Sequence, residues 1–538
     1  MEENVVDVAV VGYGPVGMVT AALLGRRGYR VAVLERHAGM YNLPRAAIFD
    51  DETMRTFAVL GVAEELLPKI HLQRNYEWRN GAGDLLIEHD FAETGRSGWA
   101  EWYMMYQPEL EEALDGVCRS APRVEVRHST PVTAVEQSPD MVTLTLAGPD
   151  GPATLRARYV VACDGGSSFM RPALGVGQQD YGFSEPWLVC DFRLRRHVSL
   201  PHALQIGDPR QPTSIISLGP SHHRFSFMLD SAEDFDAERD AERVWHRVAG
   251  RLSRDDADLI RVATYTFRST VADHWRVGRV LLAGDAAHQM PPFLGQGMCS
   301  GVRDAQNLAF KLALVLDGRA GADLLDTYQL EREPHVRAVI EKGIELGRLQ
   351  TTRDPERAAA RDRELMGRRD RAQAPETIRF PGLGDGFLSP TSSTGRGELS
   401  VQGVVDDGRR RDRLDQIVEP GFHLIVDVDL LPAVPPSDLG ALRETGVRVV
   451  AVGNGGGRDD TAALVDVDGT YARWFAELGC RAVAVRPDFY VYGAASDPST
   501  TALLVRDLTK DLENGPAPIP PVGIHLLEAP PAITGRVR

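Results

Sequence analysis

The feature that most constrains this chain is its opening. Val5–Val11 reads VVDVAVV, an apolar run of strand length, and passes directly into Gly12-Tyr13-Gly14-Pro15-Val16-Gly17. Val19, Leu23 and Leu24 continue at helical spacing as far as Gly28, a residue suited to a C-terminal cap. Tyr29–Leu34 is a second apolar run, and Glu35 stands at its end. Strand, glycines, helix, strand and an acid about 20 residues on is the context in which GxGxxG signals a bound dinucleotide. Gly12 permits the tight turn, Gly14 lets backbone approach a pyrophosphate, and Gly17 lets helix pack close on strand. Pro15 is preset for a first helical turn, and Glu35 is placed to accept ribose hydroxyls. The fingerprint alone does not separate FAD from NAD.

A second stretch repeats this logic further along. Val280–Ala283 is apolar, Gly284-Asp285 ends it, and a loop with Pro291 and Pro292 leads to Gly295-Gln296-Gly297. Val302, Ala305, Leu308, Ala309, Leu312 and Ala313 then recur at helical spacing. A glycine-rich helix start offers unpaired N–H groups and partial positive charge to a planar or anionic ligand. Asp285 at the strand end suits a polyol hydroxyl. A third strand, Tyr159–Ala162, runs into Cys163-Asp164-Gly165-Gly166-Ser167-Ser168-Phe169-Met170-Arg171, again an acid beside glycine at a strand end. Pro44-Arg45-Ala46 places an arginine that either pairs with a diphosphate or sits on the surface, and Gln107 opens a helix.

From Trp187 to Phe267 the texture becomes short alternating runs separated by Gly-Asp-Pro and Gly-Pro turns, which predicts an inserted antiparallel sheet. His202, His222 and His223 lie in it and read as hydrogen-bonded or surface histidines rather than bases. A charged helical stretch covers Asp326–Arg371, and Ala372–Gly397, rich in Pro, Gly and Ser, predicts a linker. Beyond it, alternating strand and helix patterns predict a small α/β domain. There Gly453-Asn454-Gly455-Gly456-Gly457 lacks the sixth glycine and the following acid, and reads as a loop. The lone Cys480 predicts no redox chemistry.

Composition excludes several classes. A net charge of −16 argues against nucleic acid. No run of about 18 apolar residues predicts a membrane span, and the acidic opening does not read as a signal peptide. The five cysteines form no CxxC pair, which suits a reducing cytoplasm and predicts neither zinc nor disulfides.

GYGPVG with Glu35, DGGSSFMR at 164–171 and GDAAH…PPFLGQG at 284–297 together resemble the class A flavoprotein aromatic monooxygenases. Pro44-Arg45-Ala46 with Asp50-Asp51-Glu52, and Gln296 to Gly301, look most like the 3-(3-hydroxyphenyl)propionate hydroxylases, and the last domain resembles that of the phenol hydroxylase branch. Cys299 stands where many such proteins carry Asn, which leaves a backbone contact to the flavin intact. The resemblance implies an α/β fold: a discontinuous Rossmann-like FAD-binding domain (1–180 and 270–345), an inserted antiparallel-sheet substrate domain (181–269), a helical segment and linker (346–395), and a thioredoxin-like C-terminal domain (396–538). It implies non-covalent FAD held by Gly12, Gly14, Pro15, Gly17, Glu35, Arg36, Arg45, Gln107, Asp164, Asp285, Pro292, Gly295, Gln296, Gly297, Met298 and Cys299. NADH or NADPH would be a transient co-substrate, reducing a flavin whose 4a-hydroperoxide passes one oxygen from O₂ to an electron-rich ring.

A small aromatic substrate would lie between the sheet and the proline loop, near Arg224, Phe227, Pro292 and Phe293. Arg224 would anchor a small acid, and Pro292 would orient the substrate hydroxyl through a free carbonyl. No catalytic base and no metal site is indicated. The last domain is expected to serve packing or self-association, with a homo-oligomer left open. A phenylpropionate-type substrate is the first expectation. The alternatives are tailoring of an aromatic secondary metabolite, or a flavin reductase that inserts no oxygen.

Overall fold

In the computed structural model, described over residues 5–149, 151–230, 234–371, 373, 380–453 and 463–515, the opening strand Val5–Val11 lies at the centre of a sheet. It runs parallel to Val31–Leu34 on one side and to Gly151–Ala162 on the other, and Val280–Leu282 follows parallel beyond. Val11 is level with Ala162 and Leu34, and Ala162 with Leu282. All four strands therefore deliver their next residues to one edge, which is where ligands bind in such sheets. Val8, Ala9 and Val10 are fully buried, the continuous apolar pattern of a sheet covered on both faces. The covering helices are Pro15–Arg26, Gln107–Ser120, and Gly297–Leu316, which packs on the first.

A second, eight-stranded sheet has Ala257–Ala272, Gln178–Leu194, His222–Met228, Thr213–Ser217 and Ala203–Gly207 as successive neighbours. The expected insertion is thus present, but it is not continuous in sequence. Tyr76–Asn80 and Leu85–His89, expected within the FAD-binding domain, complete this sheet through parallel pairing of Ala203 with Tyr76. Parallel neighbours far apart in sequence leave no local turn signal. The outer face carries Leu188, Cys190, Phe192, Phe225 and Phe227 against Val244 and Val248 of the helix Ala241–Val248. The inner face looks toward the first sheet.

The C-terminal unit has parallel strands His423–Asp427 and Arg448–Gly453, with Ala482–Val485 and Val491–Ala495 antiparallel beside them. Helices Pro436–Glu444, Thr470–Leu478 and Pro498–Asn514 accompany them, consistent with the thioredoxin-like expectation. Burial pushes the Cys480 thiol up to about 11. Most of the glycine cluster, Asn454–Gly457, lies outside the described residues, as does part of the expected linker. The described residues of that linker are not a free tether. Leu383, Phe387 and Leu388 are buried, and Gly384 N donates to Glu331 O at 2.9 Å.

The contact between this unit and the rest is buried: Phe310, Leu314 and Leu324 cluster with Phe387, Phe422 and Leu424, and buried ion pairs lie beside them. Arg55 forms a bidentate pair with Asp415 (2.6 and 3.0 Å). A single turn reaches three helices. Arg486 meets Glu331 on Thr327–Gln350 at 2.7 Å, and Asp488 accepts from Asn307 on Gly297–Leu316 at 3.1 Å. On Asp51–Leu60, Phe489 lies under Arg55 at 4.2 Å and Tyr490 donates to Glu52 at 3.3 Å. Phe489 holds φ = 74°, a left-handed conformation that a bulky residue keeps only where its surroundings fix it.

Candidate functional site

The three motifs meet at the shared strand edge. A Cβ on Gly12 (φ = 100°) would come within 2.4 Å of Cys163 O, and one on Gly17 within 2.1 Å of Gly12 O, so both glycines are demanded by packing. A Cβ on Gly14 would meet nothing within 4 Å. Gly14 is therefore small for the sake of what lies outside the protein, as a close backbone approach to a ligand requires. Gly14 is also the N-cap of Pro15–Arg26, with no side-chain cap, so the first-turn N–H groups stay available.

Glu35 accepts from Tyr13 N and His37 N, each at 2.8 Å, which fixes its carboxylate beside this helix start. The Arg36 guanidinium is turned onto His37. Arg45 is held through its main chain. Gln107 Oε1 accepts from Arg45 N at 3.0 Å and Ala46 N at 2.6 Å, and the Arg45 carbonyl accepts from Arg224 Nη1 at 2.6 Å. The Arg45 side chain is exposed and rests 4.5 Å over Tyr41. An anchored backbone with an outlying guanidinium is suited to phosphate.

Asp285 is exposed, although protein atoms crowd around its carboxyl. Its carboxylate has no hydrogen-bond partner among the described residues. Burial raises its pKa, with His288 and Arg45 opposing. Asp164 caps the turn after it, accepting through Oδ2 from Phe169 N (2.7 Å) and Met170 N (3.0 Å), while Oδ1 is buried with no partner among the described residues. At the start of Gly297–Leu316 there is again no side-chain cap. The Gln296 side chain is turned inward to Asp50 (3.0 Å) and Arg303 (2.9 Å), and the Cys299 thiol is buried. Any contact from Gln296 and Cys299 to a flavin is therefore through the backbone, as it must be for Gly297, while the Met298 side chain is half-exposed.

Three expectations about the substrate side are corrected. Arg224 is not a free anchor. Its guanidinium is buried on Asp191 (2.7 and 3.1 Å) and on the Pro44 and Arg45 carbonyls. Phe227 lies on the outer face in the helix-covered cluster with Phe225, because period-2 alternation puts a residue three positions from Arg224 on the opposite face. The Pro292 carbonyl is not free, since it accepts from Gly295 N at 2.9 Å in a 3₁₀ turn. Phe293 is half-buried and edge-on to Phe183 and Trp187.

Sequence reasoning missed Asp304. It is fully buried and accepts from Gly284 N (3.0 Å), His288 Nε2 (2.7 Å) and Arg332 Nε (3.0 Å), so it sets the turn that presents Asp285. Burial alone would raise its pKa, but His288 and Arg332 hold it below the usual carboxylate range. Two charges, Arg303 and Asp304, set between the apolar Val302 and Ala305 of this helix are the signal that could have found it. Also missed was the pair Asp191 and Arg261, bonded at 3.1 Å, with Arg261 reaching the Pro44 carbonyl as well.

Open glycine backbone, two uncapped helix starts, an outlying arginine and unpartnered carboxylate oxygens fit an extended dinucleotide lying across the strand edge. Comparison with known proteins agrees. Residues 5–343 match the family described as "FAD binding domain", and residues 397–511 match "HcaD C-terminal domain". The chain is 48% identical to the "Probable NADH-specific resorcinol 4-hydroxylase" of Rhodococcus jostii (strain RHA1), covering 96% of both. It is 33% identical to a 3-(3-hydroxy-phenyl)propionate/3-hydroxycinnamic acid hydroxylase of Mycobacterium sp. (strain JLS), covering 95% of this chain and 93% of the other. Among solved structures, aklavinone-11 hydroxylase with FAD and aklavinone superposes with a TM-score of 0.76 at 26% identity, over 95% of this chain and 100% of that one. The flavin-dependent monooxygenase PieE does so with a TM-score of 0.78 at 24% identity, over 94% and 99%, a likeness of fold.

Proposed function

We propose, proceeding from the fact that this chain belongs to the FAD binding domain family, that it hydroxylates a compact, uncharged phenol of the dihydroxybenzene type, with NADH as donor. The chain is an FAD-dependent aromatic-ring hydroxylase, as its similarity to the two hydroxylases supports. The observation that carries the choice of substrate is the state of the inner-face cations. Arg224 and Arg261 both pair with Asp191 and direct further donors to the Pro44 and Arg45 carbonyls and to Tyr265. Both guanidinium groups are thereby oriented toward protein, so a phenylpropionate carboxylate would compete with contacts already made. The relative named for resorcinol is also the more similar of the two, and NADH comes from that name.

Bound FAD supplies electron transfer from the nicotinamide and activation of O₂. The residues of this chain do the rest. Gly14, Arg45 and the first turn of Pro15–Arg26 hold the diphosphate, Glu35 the adenosine ribose, and Asp285 the ribitol hydroxyls. The uncapped N–H groups at the start of Gly297–Leu316 would supply partial positive charge that favours negative charge on a bound flavin. Phe293, Trp187 and Phe183 wall the recess and keep water from the reacting ring.

The test is NADH oxidation by the purified holoprotein with resorcinol, 3-(3-hydroxyphenyl)propionate and an anthracyclinone in parallel, with ¹⁸O₂ as oxidant. Stimulation by resorcinol with ¹⁸O in the product is the expected result. Preference for the propionate would refute the substrate reading, preference for the polycycle would favour a tailoring role, and an unlabelled product would refute hydroxylation itself.

A further inference from the structure

The start of the helix Gly297–Leu316 is gripped from behind by a second helix. Gln296 is its N-cap and is buried. Gln296 Nε2 donates to Asp50 Oδ2 at 3.0 Å, and Arg303 Nη1 donates to Gln296 Oε1 at 2.9 Å. Arg303 also donates to Asp50 at 2.5 Å and to Glu52 at 2.6 Å. Asp50 in turn caps Asp51–Leu60, accepting from Thr53 N at 2.9 Å. The Gln296 side chain is thus fixed to the N-terminus of Asp51–Leu60, while its carbonyl accepts an opening bond of its own helix, from Ser300 N at 2.8 Å.

Asp51–Leu60 is itself held by the C-terminal unit. Tyr490 Oη donates to Glu52 Oε2 at 3.3 Å, the same oxygen that Arg303 Nε holds. One turn further on, Arg55 pairs with Asp415 and lies over Phe489. Tyr490, Glu52, Arg303, Asp50 and Gln296 therefore run as one bonded series from the C-terminal unit to the helix start, and every member is buried. Burial raises the Tyr490 hydroxyl, which keeps it a donor. Burial also raises Glu52, with Arg303 opposing, so each donor on that carboxylate counts toward keeping it charged and paired.

We propose that Tyr490 is a positioning residue for the flavin: acting through Glu52 and Arg303, the C-terminal unit holds the N-terminus of Gly297–Leu316 in the place from which it serves the bound cofactor. In a buried network each bond polarises and constrains the next, so loss of the Tyr490 hydroxyl relaxes the grip of Arg303 on Gln296 as well as the packing of the C-terminal unit. A reduced flavin carries more negative charge than an oxidised one, so a displaced helix start disfavours the reduced form more. The inference rests on the reading that this helix start faces the flavin. It gives the C-terminal unit a part in cofactor binding beyond packing.

The experiment compares wild type with Tyr490→Phe, Tyr492→Phe and Gln296→Ala, all as full-length protein. Tyr492 is fully buried and donates to Asp511 at 2.6 Å inside the C-terminal unit, so its variant loses a hydroxyl contact of the same kind outside the series. FAD affinity is read by titrating the apoprotein, and the flavin midpoint potential by reduction against reference dyes. Tyr490→Phe is expected to bind FAD about threefold or more weakly and to shift the potential to a more negative value. Tyr492→Phe should do neither, whatever its effect on Tm, and Gln296→Ala should do both to a greater extent. If Tyr490→Phe gives no soluble protein, Glu52→Gln keeps the shape of the middle link and should move the same readouts in the same direction. Wild-type affinity and potential in Tyr490→Phe, or in Glu52→Gln in its place, with Gln296→Ala altered, overturns the inference and leaves the reading of the helix start intact. Equal changes in Tyr490→Phe and Tyr492→Phe also overturn it, since they would reflect general packing. Wild-type values in Gln296→Ala overturn the inference and the reading together.

Discussion

Asp304→Asn is the substitution whose consequences follow most directly from the structure. The change keeps size and shape but exchanges an acceptor oxygen for an N–H donor in front of three donors: Gly284 N, His288 Nε2 and Arg332 Nε. At least one N–H must then face another. Arg332 is fully buried, and its other bond is a long one to Ser300 O at 3.3 Å, so the guanidinium loses its counter-charge. Breaking a buried pair by removing one partner costs about 3–5 kcal/mol. At about 2–4 °C per kcal/mol for units of 150–250 residues, unfolding followed by tryptophan fluorescence should fall by roughly 6 °C or more. Because Asp304 also fixes the turn that carries Asp285, FAD titration of the apoprotein should show about tenfold weaker binding, the equivalent of about 1.4 kcal/mol. The pH dependence has a definite sign. The folded pKa of Asp304 is lowered, so its stabilisation is present above the ordinary carboxylate range and fades as pH falls through the lowered value. The gap between variant and wild type should therefore narrow on acidification. A variant that melts and binds FAD like wild type at pH 7 would show that Asp304 does not organise the turn.

Other perturbations separate the roles of neighbouring groups. Gly14→Ala should fold normally and lose FAD affinity by about tenfold or more, one charge-assisted hydrogen bond's worth; Gly17→Ala, whose Cβ would sit 2.1 Å from Gly12 O, should fail to fold, and soluble yield with FAD content distinguishes them. Gly347→Ala would put a Cβ 2.5 Å from the Phe293 ring, so about 1–3 kcal/mol of overpacking should displace that loop and raise peroxide per NADH more than it lowers FAD affinity. Asp51 is raised to about 7, first by burial and then by Asp50; a raised carboxylate stabilises below its unfolded pKa and loses that contribution as pH rises toward 7. Thermal stability should decline between about pH 4 and 7 by at most about 1.4 kcal/mol per unit, and Asp51→Asn should flatten the slope. Removing the chain beyond about residue 395 would strip Arg486 from Glu331, which Arg486 and Lys311 hold ionised down to about 2 against the cost of burial; the truncate should be insoluble or free of FAD, and a soluble, yellow truncate would show the two units to be separable.

Much of this molecule was legible because the residues expected to hold the dinucleotide are local. Gly12, Gly14 and Gly17 act within one turn, Glu35 one strand later, and Asp285 one residue past a strand, so spacing along the chain carried the geometry. The substrate side was not legible. Phe227 and Arg224 occupy one strand three residues apart, and only register decides which face each takes. Arg224 read as an anchor because its partner Asp191 lies on the neighbouring strand, and the Pro44 and Arg45 carbonyls lie in another unit. Tyr76–His89 read as part of the nucleotide fold because nothing local announces a parallel partner more than a hundred residues away. The described residues of the expected linker read as a tether from their Pro and Gly content, yet Gly384 and Gly386 are small because a Cβ would meet Leu330 O and Glu331 within about 2.3 Å.

The parallel order of the first sheet has a consequence for how the protein is made. Val5–Val11 is synthesised before the rest of its sheet, and Asp285 and the start of Gly297–Leu316 join it only after the intervening sheet has been made. At about 5–20 residues per second that delay is roughly 15–60 s, and for roughly 6–24 s of it the apolar edge of Gly151–Ala162 awaits Val280–Leu282. The turn at Arg486–Tyr490 emerges later still, so the acids it meets, Glu52 and Glu331, stand without those partners until nearly the whole chain is out. Nascent chains arrested before and after residue 282 should differ sharply in chaperone binding. The FAD supply of the cell would act on this protein at the end of translation rather than along it.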